Sequence, residues 1–93
     1  MAREAIHQLL ATDIALDKLG ARGISAEEAE QLLRNRHAIV SNPRDGKRRL
    51  LIGRTNGGQT VTLVVEATPD PTTWLIVTGW ESTQPERKIL ESR

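Results

Sequence analysis

The run Arg48-Arg49-Leu50-Leu51-Ile52-Gly53-Arg54-Thr55, the tetrapeptide Asn56-Gly57-Gly58-Gln59 and the run Thr60-Val61-Thr62-Leu63-Val64-Val65-Glu66 decide the fold. Two segments rich in β-branched and aliphatic residues flank Asn-Gly, a pairing that marks a β-hairpin. A two- or four-residue loop at this tip puts Leu50 and Ile52 on one face with Val61, Leu63 and Val65. That face reads as core. The other face carries Arg49, Leu51, Thr60, Thr62, Val64 and Glu66, with Arg49 and Glu66 placed to pair across the strands. Thr73-Trp74-Leu75-Ile76-Val77-Thr78-Gly79-Trp80 extends the hairpin into a meander after the stiff loop Thr68-Pro69-Asp70-Pro71-Thr72. The prolines leave its register open, so either Trp74, Ile76 and Trp80 or Leu75 and Val77 join the core.

Upstream, Ile6, Leu9, Leu10, Ile14 and Leu19 follow helical spacing from Arg3 to about Leu19, and Thr12-Asp13 offers an N-cap, so the stretch reads as one helix or as two with a break there. Gly20 and Gly23 are C-cap candidates. Ser25 and Glu28 form a capping box with Ile24 and Ala29 as its hydrophobic staple, and Ala29, Leu32 and Leu33 supply a buried stripe. His37 to Ser41 is a short edge strand, and Asn42-Pro43-Arg44-Asp45-Gly46 is a turn. Thr83-Gln84-Pro85-Glu86 opens a last helix that ends near Glu91 and buries Ile89 or Leu90. The expected fold is α+β: one domain over residues 1–93, an antiparallel sheet of three to four strands, and helices packed on one face.

The composition narrows the function classes. The chain has 93 residues and 38% hydrophobic content without Phe, Tyr or Cys, so its core is aliphatic apart from two Trp, and disulfide or thiolate chemistry is excluded. No stretch has transmembrane length or the form of a signal peptide, which points to a cytoplasmic protein away from the membrane. The two histidines, His7 and His37, lack metal-ligand spacing. The glycines follow neither phosphate-binding pattern, and no cofactor is implied. Charge is uneven, however. Between Gln31 and Val65 lie Arg34, Arg36, Arg44, Lys47, Arg48, Arg49 and Arg54 against Asp45, a local surplus of six in a chain whose net charge is +1. Such a zone suits an anionic partner, either nucleic acid or an acidic protein, although strand-edge charges that prevent aggregation have the same look. Trp80, beside Glu81 at a strand end, is a candidate for stacking a base, whereas Trp74 reads as core.

Three motifs in order carry a family resemblance. Ala21-Arg22-Gly23-Ile24-Ser25-Ala26-Glu27-Glu28-Ala29, then Arg48 to Thr55, then Val77-Thr78-Gly79-Trp80-Glu81-Ser82-Thr83 followed by Glu86, resemble the BrnT-type toxins, whose fold is similar to RelE-like ribonucleases. The resemblance implies a toxin-like component of a type II toxin–antitoxin system, a cognate antitoxin as partner, and metal-free ribonuclease chemistry. In that chemistry basic groups stabilise the scissile phosphate while the RNA 2′-hydroxyl attacks. Arg48, Arg54 and Arg22 are the catalytic candidates it implies, with Lys47, Arg49 and Trp80 as RNA contacts. Two departures stand out. Ala21-Arg22 replaces the family's Lys-His, and Trp80 stands where the family has an Arg. Loss of such a charge-stabilising group typically costs about 10²-fold or more in rate. A non-catalytic module on the same fold, binding a protein partner or nucleic acid, is the alternative. A homodimer through the His37–Ser41 edge is compatible with both.

Overall fold

A computed structural model of the chain describes residues 5–42 and 44–92. The elements run β1 (Gln8–Ala11), α1 (Asp13–Gly20), α2 (Ala26–Arg34), β2 (His37–Ser41), β3 (Arg48–Arg54), β4 (Thr60–Ala67), β5 (Thr73–Glu81) and α3 (Gln84–Glu91). They form a five-stranded sheet in the order β1-β5-β4-β3-β2. The meander and β2 pair antiparallel, as the sequence suggests, but β1 adds parallel to β5, with Leu9 opposite Trp74. The sheet is therefore mixed, and larger than the expected three to four antiparallel strands. The start of the expected first helix, Arg3 and Glu4, and Pro43 of the predicted turn lie outside the described residues.

The N-terminal segment shows why. Gln8 to Ala11 does not continue a helix because the open edge of β5 offers it a ladder, begun by hydrogen bonds from His7 N and Gln8 N to Thr72 O at 2.8 and 3.2 Å. Backbone pairing and the burial of Leu9 outweigh weak helix propensity. Thr12 still caps a helix, its Oγ1 accepting from Ala15 N at 3.1 Å. After α1, Gly23 takes φ +76°, and the bonds Ile24 N to Leu19 O and Gly23 N to Gly20 O, at 2.9 and 3.0 Å, close a Schellman motif. The capping box follows as read, with Glu28 N to Ser25 Oγ at 3.1 Å and Ser25 N to Glu28 Oε1 at 3.0 Å.

The hairpin register corrects the face assignment. Leu51 stands opposite Leu63, Arg49 opposite Val65 and Gly53 opposite Val61. The loop holds three residues, Asn56 to Gly58, closed by Thr55 N to Gln59 O at 2.8 Å, with Gly58 at φ +90°. An odd loop shifts the pairing by one residue, and a one-residue shift turns every side chain of β3 over. Leu50 and Ile52 thus lie on the face opposite Val61, Leu63 and Val65. Arg48, rather than Arg49, pairs with Glu66, at 3.4 Å.

A β-bulge between Val64 and Val65 likewise splits β5, so Trp74 and Ile76 face the main core while Trp80 falls on the opposite side, beside Thr62. The main core joins Leu19, Ile24, Ala29 and Leu32 of the helix pair to Leu51, Val61, Leu63, Val65, Trp74 and Ile76. The helices do not all share this face. Leu90 of α3 packs on the reverse face, against Ala38 and Ile52. The last helix crosses to that side because the reversed register puts Ile52 there and leaves it to be covered.

Candidate anion-binding groove

The β4–β5 loop is held by one carboxylate. Asp70 Oδ1 accepts from Thr72 N and Thr72 Oγ1, each at 2.9 Å, and Asp70 Oδ2 accepts from Thr73 Oγ1 at 3.1 Å. The Thr72 N–H, then the two hydroxyls, hold this carboxyl below its ordinary value. Thr68 Oγ1 is committed as well, donating toward Asp70 O at 3.0 Å and Thr73 O at 2.6 Å. Trp74 Nε1 donates to Pro71 O at 3.3 Å, tying the indole to the loop. With these polar groups turned on one another, Pro69 and Pro71 form a stiff, largely apolar wall.

The opposing wall is the entry to β3. Lys47 N donates to Asp45 Oδ1 at 2.9 Å, and Lys47 O accepts from Ala67 N at 3.3 Å, so the backbone at Lys47 is fixed between the turn and β4. Arg49 Nη1 donates to Gly46 O and Arg48 O at 2.8 and 2.9 Å, and the guanidinium carbon lies 6.0 Å from the Trp74 ring centroid. That distance is at the outer limit of a cation–π contact. Between the walls runs a groove of about 490 Å³ lined by Lys47, Arg49, Ala67, Pro69, Pro71 and Trp74, among others. Its size falls within the ~300–1,000 Å³ of ligand pockets. Two cations on an apolar, proline-walled floor can hold an anionic group with an apolar body beside it.

The basic sequence candidates separate into four places. Lys47 and Arg49 meet in the groove. Arg48 projects from the other sheet face, between Asp45 at 3.5 Å and Glu66 at 3.4 Å, where its charge is largely answered. Arg54 is exposed at the far end of the same strand, about 20 Å from Arg48 at ~3.3 Å per residue. Arg22 lies in the exposed turn between α1 and α2, on the side of the sheet that Arg48 and Arg54 do not face. Three residues implied as one catalytic set are thus not brought together. Among the described residues, Arg44, Lys47 and Arg54 have no carboxylate within 4.0 Å.

Trp80 belongs to a different constellation. It is half-buried, and its Nε1 donates to Glu86 Oε1 at 3.0 Å. The same oxygen accepts from Thr62 Oγ1 at 3.1 Å and Thr83 N at 2.8 Å, while Thr62 and Ser82 hydroxyls are 2.8 Å apart. Burial by itself raises the Glu86 carboxyl, but bonds from Thr83 N, Trp80 and Thr62 outweigh it and leave the carboxyl below its ordinary value. The indole is thereby a strut between sheet and α3 rather than a free stacking surface. Sequence reasoning missed Trp74, Pro69 and Pro71 as a binding wall. The signal was present in the Pro69-Asp70-Pro71 loop, which ends three residues before Trp74. Among the described residues, no group of three or more His, Cys, Asp or Glu is placed to hold a metal, and no helix is long and apolar enough to cross a membrane.

A family model described as "Domain of unknown function (DUF4258)" matches residues 12–80. No curated protein matches the chain. The matched span runs from the cap of α1 to Trp80 and contains both basic groove residues.

Proposed function

This chain belongs to the DUF4258 family, and we propose that it is an RNA-binding, toxin-like component of a type II toxin–antitoxin system, docking the RNA backbone at the Lys47–Arg49 end of the meander. The observation that carries the RNA contact is Lys47: a cation without a carboxylate neighbour among the described residues, on the rim of a groove it shares with Arg49. Every phosphate a Lys or Arg neutralises releases counterions, so even a short basic rim contributes salt-dependent affinity. The toxin-like part rests on the motif order. The three BrnT-like motifs fall on the α1–α2 turn with the first half of α2, on β3, and on the end of β5, with Glu86 following in α3. A RelE/BrnT-like fold and a protein antitoxin belong to this reading.

Cleavage is a separate matter. A metal-free ribonuclease needs several charge-stabilising groups around one phosphate. The separation of Arg22 from Arg48 and Arg54, and the engagement of Trp80 with Glu86, favour the second reading, a non-catalytic binding module. One experiment addresses both. Fluorescence anisotropy of a labelled single-stranded oligoribonucleotide is followed across a salt series for the native chain and Lys47→Ala, with denaturing gels of the same mixtures. Binding that weakens with salt and with Lys47→Ala, without cleavage, supports the module. Cleavage and growth arrest on expression, both reduced by Arg54→Ala, support the nuclease. Absence of any RNA binding ends the RNA proposal.

A further inference from the structure

We propose that the groove between β3 and the β4–β5 loop is a discrete pocket for a nucleoside 5′-monophosphate group, its base between the Pro69–Pro71 wall and the Arg49 guanidinium, beside the largely buried Trp74, and its phosphate on Lys47. The inference deepens the RNA-binding reading and rests on it for biological context, but its site is defined by geometry alone. The loop's polar side chains are spent internally: Thr68 Oγ1 on two carbonyls, and Thr72 Oγ1 on Asp70. What faces the groove from that side is therefore ring and methyl surface, suited to a flat aromatic body. On the other side Lys47 has its backbone fixed and its ammonium without an acidic partner among the described residues, a point charge suited to a phosphate.

Arg49 contributes a guanidinium whose Nη1 is anchored on two carbonyls and which sits above Trp74. Guanidinium planes stack bases, and this one lies over the largely buried Trp74 ring. Among the described residues, the nearby carboxylates are engaged elsewhere. Asp45 and Glu66 hold Arg48, Asp70 holds its loop threonines, and none of these carboxylates lines the groove. Because no side-chain amide among the described residues lines the groove, the base is held by stacking and not by readout of its edge. Purines therefore bind somewhat more tightly than pyrimidines, and adenine and guanine bind alike.

The test is an NMR titration of the ¹⁵N-labelled native protein, read at the two Trp indole N–H signals, which Trp80→Phe assigns. AMP, GMP, UMP, adenosine, inorganic phosphate and a poly-glutamate peptide are the probes, together with a short oligoribonucleotide with and without a 5′-phosphate. Saturable movement of the Trp74 signal by AMP is expected, with Trp80 static. Adenosine and the Lys47→Ala variant each bind about tenfold or more weakly, the scale of one lost charge-assisted contact. Ala67→Leu, which fills the groove from an exposed strand position, abolishes the shift. Movement with free AMP identifies a free nucleotide as the source. Movement with the 5′-phosphorylated oligomer alone identifies a chain end.

Three results overturn the pocket: no movement with any nucleotide or oligomer, phosphate alone reproducing the effect of AMP, or poly-glutamate moving Trp74 where nucleotides do not. An AMP shift of the Trp74 signal that persists at native affinity in Ala67→Leu also refutes it, while leaving the broader RNA reading standing.

Discussion

A Cβ on Gly79 would stand 2.6 Å from Leu63 Cδ2, 2.9 Å from Leu19 Cδ2 and 2.9 Å from the carbonyl oxygen of Thr62. Here α1 is seated directly on the β5 backbone, with Leu19 and Leu63 fully buried around the glycine. Gly79→Ala is therefore expected to lower stability by about 1–3 kcal/mol, since the backbone oxygen cannot yield as a side-chain tip does. Gly46 provides the control. Nothing lies within 4 Å of its notional Cβ, so Gly46→Ala is expected to be neutral or stabilising by a few tenths of a kcal/mol. Urea unfolding of both variants checks the contrast in sign.

Glu86 joins α3 to the sheet through one oxygen that accepts from Thr83, Trp80 and Thr62. Its carboxyl is depressed in the folded state, so its contribution is complete above the ordinary value of 4.5 and is lost as pH falls through the lower folded-state value. Asp70, depressed by its threonine bonds, acts in the same direction below 3.8. Glu86→Gln is expected to cost about 1 kcal/mol at neutral pH, to flatten the acid limb of the stability curve and to move the Trp80 indole signal. Thermal unfolding across the acid range, with one indole spectrum, measures all three.

Leu90 is the buried anchor of α3, at 1% exposure, with Ile89 half-buried beside it. Leu90→Ala is expected to cost about 2–4 kcal/mol, and to loosen α3 before the rest of the fold. Trypsin then cleaves after Arg87 or Lys88 faster than in the native chain, while the amides of β3 and β4 keep their protection from hydrogen exchange.

Lys47 and Arg48 are sequence neighbours on opposite faces, one at the groove and one between two carboxylates. Lys47→Ala is expected to weaken oligoribonucleotide binding and to reduce the salt slope by about one unit, whereas Arg48→Ala changes binding little. Arg48→Ala instead costs about 0–1 kcal/mol of stability, the usual range for half-exposed pairs. Anisotropy titrations at several salt concentrations, beside denaturant melts, separate the two effects.

Local chemistry in this chain was legible without the fold. Thr12, Ser25 with Glu28, and Thr83 with Glu86 cap their helices as their spacing indicates, because a cap involves only residues three positions apart. The meander and the edge position of His37–Ser41 were equally legible from alternation and turn residues. So was Lys47 with Arg49 as a basic pair, and Trp74 as a core residue.

Everything that depends on parity was decided by contacts distant in sequence. Asn56 N donates to Gln31 Oε1 at 2.9 Å, and Asn35 Nδ2 donates to Arg54 O at 2.8 Å and Asn56 Oδ1 at 3.0 Å. These bonds from α2 and its C-cap hold the hairpin tip as a three-residue loop, where an even loop is as compatible with Asn-Gly-Gly. One residue of difference sends Arg48 to Glu66, Arg49 to Trp74 and Ile52 to α3, because side chains alternate strictly along a strand. The bulge in β5 and the capture of Gln8–Ala11 by its edge have the same origin. Asn-Gly by itself determined that the chain turns; the tertiary structure decided which face each arginine joins.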